Sequence, residues 1–270
     1  MKALILIASA ALTVAAPALA DGHATKALNT AVAGDQRSES NRARDAYRHP
    51  VETLTFFGFE PGQTVIEIWP GGGWYTEILA PAMKNDGELV LAVYGEGEGT
   101  GDYHKRNHRE FMAKLEADPE VFGDASLVEF WPPRATGLGE SGSADLVITF
   151  RNMHSMLRRD QADAFFPAAF DVLKPGGVLG IVQHRAPEGA DAAAMAPKGY
   201  VPTAWVVAQA EAAGFVLEES SEINANPRDT KDYEEGVWTL PPALRAKDGR
   251  DDVYRAIGES DRMTLRFRRP

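Results

Sequence analysis

The 270-residue chain has no cysteine. That excludes disulfides, thiol nucleophiles and thiolate metal sites, and it is compatible with an oxidising compartment. There is no polybasic run: 28 basic residues face 39 acidic ones, for a net charge of −11. Such a surface repels phosphate backbones and anionic headgroups at long range, so no nucleic acid is expected as a partner. Internal repeats are absent, and no apolar run is long enough to cross a bilayer comfortably. The nearest approach to one is Ala3–Ala15.

That apolar run follows Lys2 and precedes Ala18-Leu19-Ala20, a small-x-small site. The pattern reads as a secretory signal peptide over 1–20, cut after Ala20. It implies a periplasmic or secreted protein with no membrane insertion after cleavage. The mature chain then carries 27 basic and 39 acidic residues.

Residues 21–59 read as a helical extension: a loosely held helix or linker over Asp21–Asp35, an exposed helix over Ser38–Tyr47, and a short helix Val51–Phe57. Pro50 pushes the residue before it out of the α region and separates the last two. From residue 60 the chain alternates strand and helix. Strands are expected at Thr64–Ile68, Leu89–Tyr94, Ser126–Trp131, Asp145–Phe150, Val178–Gln183, Phe215–Ser220 and Met263–Arg269. Helices are expected at Trp74–Met83, His104–Ala117, Gln161–Leu173 and Thr203–Ala213, the third from apolar residues at helical spacing. Lys174-Pro175-Gly176-Gly177 reads as a Pro-Gly turn.

The most informative stretch is Thr64-Val65-Ile66-Glu67-Ile68-Trp69-Pro70-Gly71-Gly72-Gly73-Trp74. A β-branched apolar run carries an acid near its end, breaks into three glycines and enters a helix. A backbone without Cβ atoms lets such a turn pass close beneath a ligand, which is how doubly wound α/β folds build a nucleotide cleft. A nicotinamide fingerprint would need glycine where Thr76 stands.

Together with Phe150-Arg151-Asn152-Met153-His154, Leu173-Lys174-Pro175-Gly176-Gly177, Glu222-Ile223-Asn224-Ala225-Asn226-Pro227 and Gly258-Glu259-Ser260-Asp261-Arg262-Met263, this stretch resembles the class I S-adenosylmethionine-dependent methyltransferases. The closer likeness is to a bacterial group of signal-peptide-bearing members. The resemblance covers roughly residues 60–270 and implies a Rossmann-like α/β domain. Its mostly parallel seven-stranded sheet would have order 3-2-1-4-5-7-6 and an antiparallel last strand. It also implies S-adenosylmethionine as cofactor. On this resemblance Glu67, Gly71, Gly72 and Gly73 lie at the cofactor. Trp69 replaces the usual first glycine, so the turn should leave its usual path, and Tyr94 replaces the acid that grips the ribose hydroxyls. Glu96, in the flexible Gly95–Gly99 stretch, could supply that carboxylate instead, as could Glu98.

Arg151, Asn152 and His154 directly follow the fourth strand and His184 and Arg185 the fifth, at the edge where α/β sheets bind ligands. Two readings stand. The patch binds an anionic group of a small-molecule substrate with His154 or His184 as general base, or it pairs with Glu222, Asp229 or Asp261 as a structural network. His104 and His108 are spaced for metal chelation, but Lys105, Arg106 and Arg109 oppose a cation, so that face reads as solvated and no metal is expected. The residues 223–261 form an unusually long connection between the last two strands. It reads as a lid with Asn224, Asn226, Asp229, Asp232 and Trp238 turned inward.

Three functions remain open. The first is an exported methyltransferase acting on a small molecule. The second is a non-catalytic ligand-binding protein of the same shape, because S-adenosylmethionine is made in the cytosol. The third is an enzyme using the Arg151–His154–His184 patch without a methyl donor.

Overall fold

The computed structural model describes residues 20–270, so the expected signal peptide, Ala20 apart, lies outside the described residues. Seven strands form one sheet of order β3-β2-β1-β4-β5-β7-β6. They are β1 Thr64–Ile68, β2 Glu88–Val93, β3 Ser126–Glu129, β4 Ala144–Phe150, β5 Leu173–His184, β6 Val216–Ser221 and β7 Arg262–Arg268. β7 is antiparallel to β5 and β6, and the other pairings are parallel. The order and the reversed last strand are those expected from the sequence. Strand order reverses between β1 and β4, and a doubly wound sheet opens its ligand crevice at such a point.

The helices are α1 Ala20–Ala33, α2 Glu39–Arg42, α3 Asp45–Arg48, α4 Pro50–Phe56, α5 Thr76–Met83, α6 Asp102–Ala117, α7 Pro119–Phe122, α8 Met153–Arg158, α9 Ala162–Val172, α10 Ala192–Met195, α11 Thr203–Ala212 and α12 Asp251–Ile257. One face of the sheet is covered through Leu28, Leu54, Phe57, Ile78 and Leu79. The other is covered through Met153, Phe165, Phe166 and Val206. Apolar strands such as β4, buried along most of their length, follow from this double cover.

Three expectations are corrected. The first helix is not loosely held: Ala24, Leu28 and Ala31 are buried, and Leu28 and Ala31 belong to the apolar cluster around α5. The segment read as one exposed helix is two short helices, α2 and α3, flanked by the buried guanidiniums of Arg37 and Arg48. Lys174–Gly177 does not end an element; it lies within β5, with Gly176 at φ +79°. Backbone pairing with the C-terminal strand end, Gly176 N–H to Arg269 O at 2.8 Å, carries the strand through it.

Candidate functional site

The glycine turn leaves β1 and enters α5. A Cβ built on Gly71 or Gly72 would meet nothing within 4 Å, so the space above both is open. Neither glycine's backbone N–H donates a hydrogen bond among the described residues. Gly73 differs: at φ +77°, its Cβ would lie 2.8 Å from the Phe111 ring, so this glycine serves packing against α6. Glu67 lies beneath the turn with Oε2 accepting the Thr76 hydroxyl at 2.6 Å. Burial pushes its carboxyl up to about 7, against that hydrogen bond and the charges of Lys114 and Arg151. A cavity of about 340 Å³ opens here, lined among others by Glu67, Trp69, Gly71, Gly72, Tyr94 and Asn152.

Trp69 stands at the first position of the turn. It adopts φ +48°, the left-handed conformation a glycine would take. Two hydrogen bonds hold it there: its backbone N–H to Ala92 O and its Nε1–H to Phe130 O, each 2.8 Å. Its ring packs against Tyr94 at 5.3 Å and Trp131 at 5.5 Å between centroids. His104 closes the group at 4.9 Å from both Tyr94 and Trp131. His104 is therefore buried, not on a solvated face, and burial pushes its imidazole down to about 4. These rings cover the carboxyl ends of β1, β2 and β3. Glu96 does not enter the cavity. It turns outward to Arg109 Nη1 at 2.6 Å and does not occupy the place of the missing strand-end acid.

Arg151, Asn152, His154 and His184 are brought together around a second cavity of about 720 Å³. It shares Arg44, Arg48, Tyr94, Tyr103, Arg151 and Asn152 with the first. Asn152 Nδ2 donates to Ile68 O at 2.9 Å, tying the end of β4 to that of β1. Arg151 sits at φ +65° and its guanidinium makes no ion pair or hydrogen bond among the described residues. Arg185, in contrast, is engaged by Glu222 at 2.7 Å and Asp261 at 2.8 Å. The structural network thus claims Arg185 and leaves the other four facing the cavity.

Both histidines are half-buried, and both imidazoles are shifted toward the uncharged form. Burial pushes His154 down to about 4, and Arg158 adds to this. His184 is held well below the usual imidazole range by burial, then by His154 and Arg151. An imidazole of such low basicity is a poor general base at neutral pH. It remains an acceptor of hydrogen bonds, and His154 Nδ1 is buried without a partner. His184 Nδ1 is occupied by the Ser260 hydroxyl.

The 223–261 segment covers this cavity, but most of its expected inward residues fasten it. Asn224 Nδ2 donates to Thr53 and Thr264, Asn226 Nδ2 to Ile257 O and Glu259 O, and Asp229 accepts the Tyr200 hydroxyl. Asp232 is exposed, and Trp238 alone of the five lines the cavity. Sequence reasoning missed Arg44, Arg48 and Glu259. Glu259 receives Arg44 Nε at 2.6 Å and Arg48 Nε and Arg262 Nη2 at 3.2 Å each. Burial alone would raise its carboxyl, but these three guanidiniums hold it down to about 2. The Arg44-x-x-x-Arg48 spacing, one helical turn, was the available signal.

No family model and no curated protein matches the chain. Solved structures do match in fold. An S-adenosylmethionine-dependent methyltransferase from Aquifex aeolicus aligns at 15% identity over 67% of this chain and 87% of its own, with TM-score 0.52. A candidate sarcosine dimethylglycine methyltransferase from Galdieria sulphuraria aligns at 15% identity over 87% and 89%, with TM-score 0.55. The 4+2 cyclase SpnF aligns at 15% identity over 92% and 93%, with TM-score 0.56. The fold is the Rossmann-like α/β fold of these proteins.

Proposed function

We propose that this chain is an exported methyltransferase that uses S-adenosylmethionine to methylate a small molecule. The observation that carries the reading is the open backbone of Gly71 and Gly72, set where a cofactor-sized cavity meets a second cavity of substrate size. The residues fit the amino-acid end of the cofactor. Unused N–H groups of Gly71 and Gly72, beside the start of α5, suit a carboxylate, and Glu67 suits an ammonium. The exposed Tyr103 ring offers a face on which a base can stack, beside Tyr94, which is packed against Trp69, His104 and Trp131. The ribose diol finds no strand-end carboxylate, so stacking must carry more of the nucleoside's affinity.

When bound, S-adenosylmethionine supplies an electrophilic methyl group. The chain's own contribution is placement. Asn152 fixes the seam between β1 and β4, the lid excludes water through Val237, Trp238 and Leu240, and the neutral His154 imidazole orients an acceptor hydroxyl or amine by hydrogen bonding. Alignment of that kind supplies much of the acceleration of an in-line displacement. The leader-like sequence of 1–20 supports export.

A second reading, ligand binding without methyl transfer, is favoured by the packed Trp69–Tyr94–Trp131 rings and by Tyr94 in the place of the ribose acid. Calorimetry on the chain from Asp21 onward separates the two. Methyltransferase function predicts saturable heat with S-adenosylmethionine and tighter binding of S-adenosylhomocysteine. Silence with both at millimolar concentration overturns it.

A further inference from the structure

Four guanidiniums, those of Arg44, Arg48, Arg151 and Arg262, lie around one carboxylate, Glu259. Glu259 is saturated by three of them. Arg151 is half-buried and feels Glu259 only at a distance, with no ion pair or hydrogen bond to its guanidinium among the described residues, and Arg48, only 1% exposed, keeps Nη1 buried and without a hydrogen bond. Asp261 is not free to accept from them, being taken by Arg185 and Lys231. A buried donor without an acceptor is costly, and Arg48 Nη1 is one. Arg48 and Arg151 both line the 720 Å³ cavity. The same cavity is lined by the apolar Val237, Trp238, Leu240 and Pro242.

We infer that Arg48 and Arg151, backed by Arg44, form an oxyanion subsite for the acceptor, which is a small organic acid with a carboxylate or phosphate head and an apolar body lying against Trp238. This deepens the methyltransferase reading by naming the acceptor class, yet the subsite itself stands on geometry that needs no methyl donor. Planar guanidiniums match either head group bidentately. The N-terminal extension is then part of the site, because α3 and the residue before it deliver Arg48 and Arg44. Arg37 and Trp74 hold that helix in place: Arg37 pairs with Asp45 at 2.6 Å, and the Arg48 guanidinium lies over the Trp74 ring.

The test is calorimetric titration of the chain from Asp21 onward with benzoate and with phenyl phosphate, with and without saturating S-adenosylhomocysteine. We expect one or both probes to bind the native protein. Arg151→Gln should weaken them roughly 10- to 100-fold, the range for charged hydrogen bonds, and Arg151→Lys should recover part of the loss. Arg151→Gln should also unfold at the same temperature as the native protein, because the Arg151 guanidinium makes no ion pair or hydrogen bond among the described residues. That shows any loss of binding is not loss of fold. Preference for one probe identifies the head group. Absence of binding by both probes, equal affinity in native and Arg151→Gln protein, or competitive displacement of the probes by S-adenosylhomocysteine overturns the inference, the last by assigning the arginines to the cofactor. Probe binding lost in Arg151→Gln, in a protein that never binds S-adenosylhomocysteine, overturns the methyl-donor reading and leaves the subsite standing.

Discussion

The guanidinium of Arg48 lies 4.6 Å from the centroid of the Trp74 ring, linking the N-terminal extension to the glycine turn. Arg37 lies over the same ring at 5.0 Å, and the indole N–H donates to Asn41 O at 3.0 Å. One side chain therefore positions two buried cations. Trp74→Leu should cost about 3 kcal/mol from lost ring burial and two cation–π contacts. It should also weaken oxyanion binding more than Phe111→Leu, which alters packing under the same turn. Urea unfolding and probe titration of the two variants check this; equal binding in both would detach Trp74 from the subsite.

Glu67 gives a pH dependence of defined sign. Its folded-state carboxyl is raised by burial to about 7, above the ordinary 4.5. The contribution to stability is therefore complete below pH 4.5 and disappears as pH rises through 7. The span corresponds to about 3 kcal/mol. Glu67→Gln, which keeps the shape and cannot ionise, should flatten the stability profile over that window and be more stable than the native protein at pH 8. A parallel profile in both proteins would contradict the burial account.

Trp69 stands in left-handed backbone while its ring packs beside Tyr94 and Trp131. Trp69→Gly relieves about 1 kcal/mol of backbone strain and loses about 3–5 kcal/mol of ring packing, so the variant should be less stable. The same change opens space over β2, and S-adenosylhomocysteine should bind it more tightly if the indole obstructs the nucleoside. Unchanged or weaker binding would show that the ring supports the seat.

Asp261 accepts from Arg185 at 2.8 Å and Lys231 at 2.7 Å and from the Asn226 backbone N–H at 2.9 Å. Removing this buried carboxylate leaves Lys231 without its ion pair and Arg185 with Glu222 alone, so Asp261→Asn should cost about 3 kcal/mol. It should also speed proteolytic cleavage within 223–261 relative to the rest of the chain. Uniform cleavage rates would mean the lid is held by other contacts.

The centre of the sheet was legible because its inner strands are buried on both faces, so β1, β2, β4 and the body of β5 stand out as apolar runs between turns. The turn at Gly71–Gly73 and the patch at Arg151–His154 were legible because their residue types are tied to one chemistry at one edge of the fold. Arg48 was not. An Arg-rich segment reads as solvated, and only tertiary placement beside Trp74 and Glu259 buries it. Helix α8 was missed because it begins within the patch itself, where chemistry masks periodicity. Glu96 was misplaced because flexibility in the Gly95–Gly99 stretch gives no direction, and Arg109 on the neighbouring helix decides it. The histidines were candidates from their place at the strand ends, but their lowered basicity follows from desolvation and neighbouring arginines that no spacing reveals.

The most direct test of the methyl-donor account is a crystal structure of the protein grown with S-adenosylhomocysteine. The account predicts density with the amino-acid end over Gly71 and Gly72, the sulfur toward Asn152, and the base against Tyr94 or Tyr103. An undisturbed Trp69–Tyr94–Trp131 cluster with that space empty at saturating ligand would contradict it.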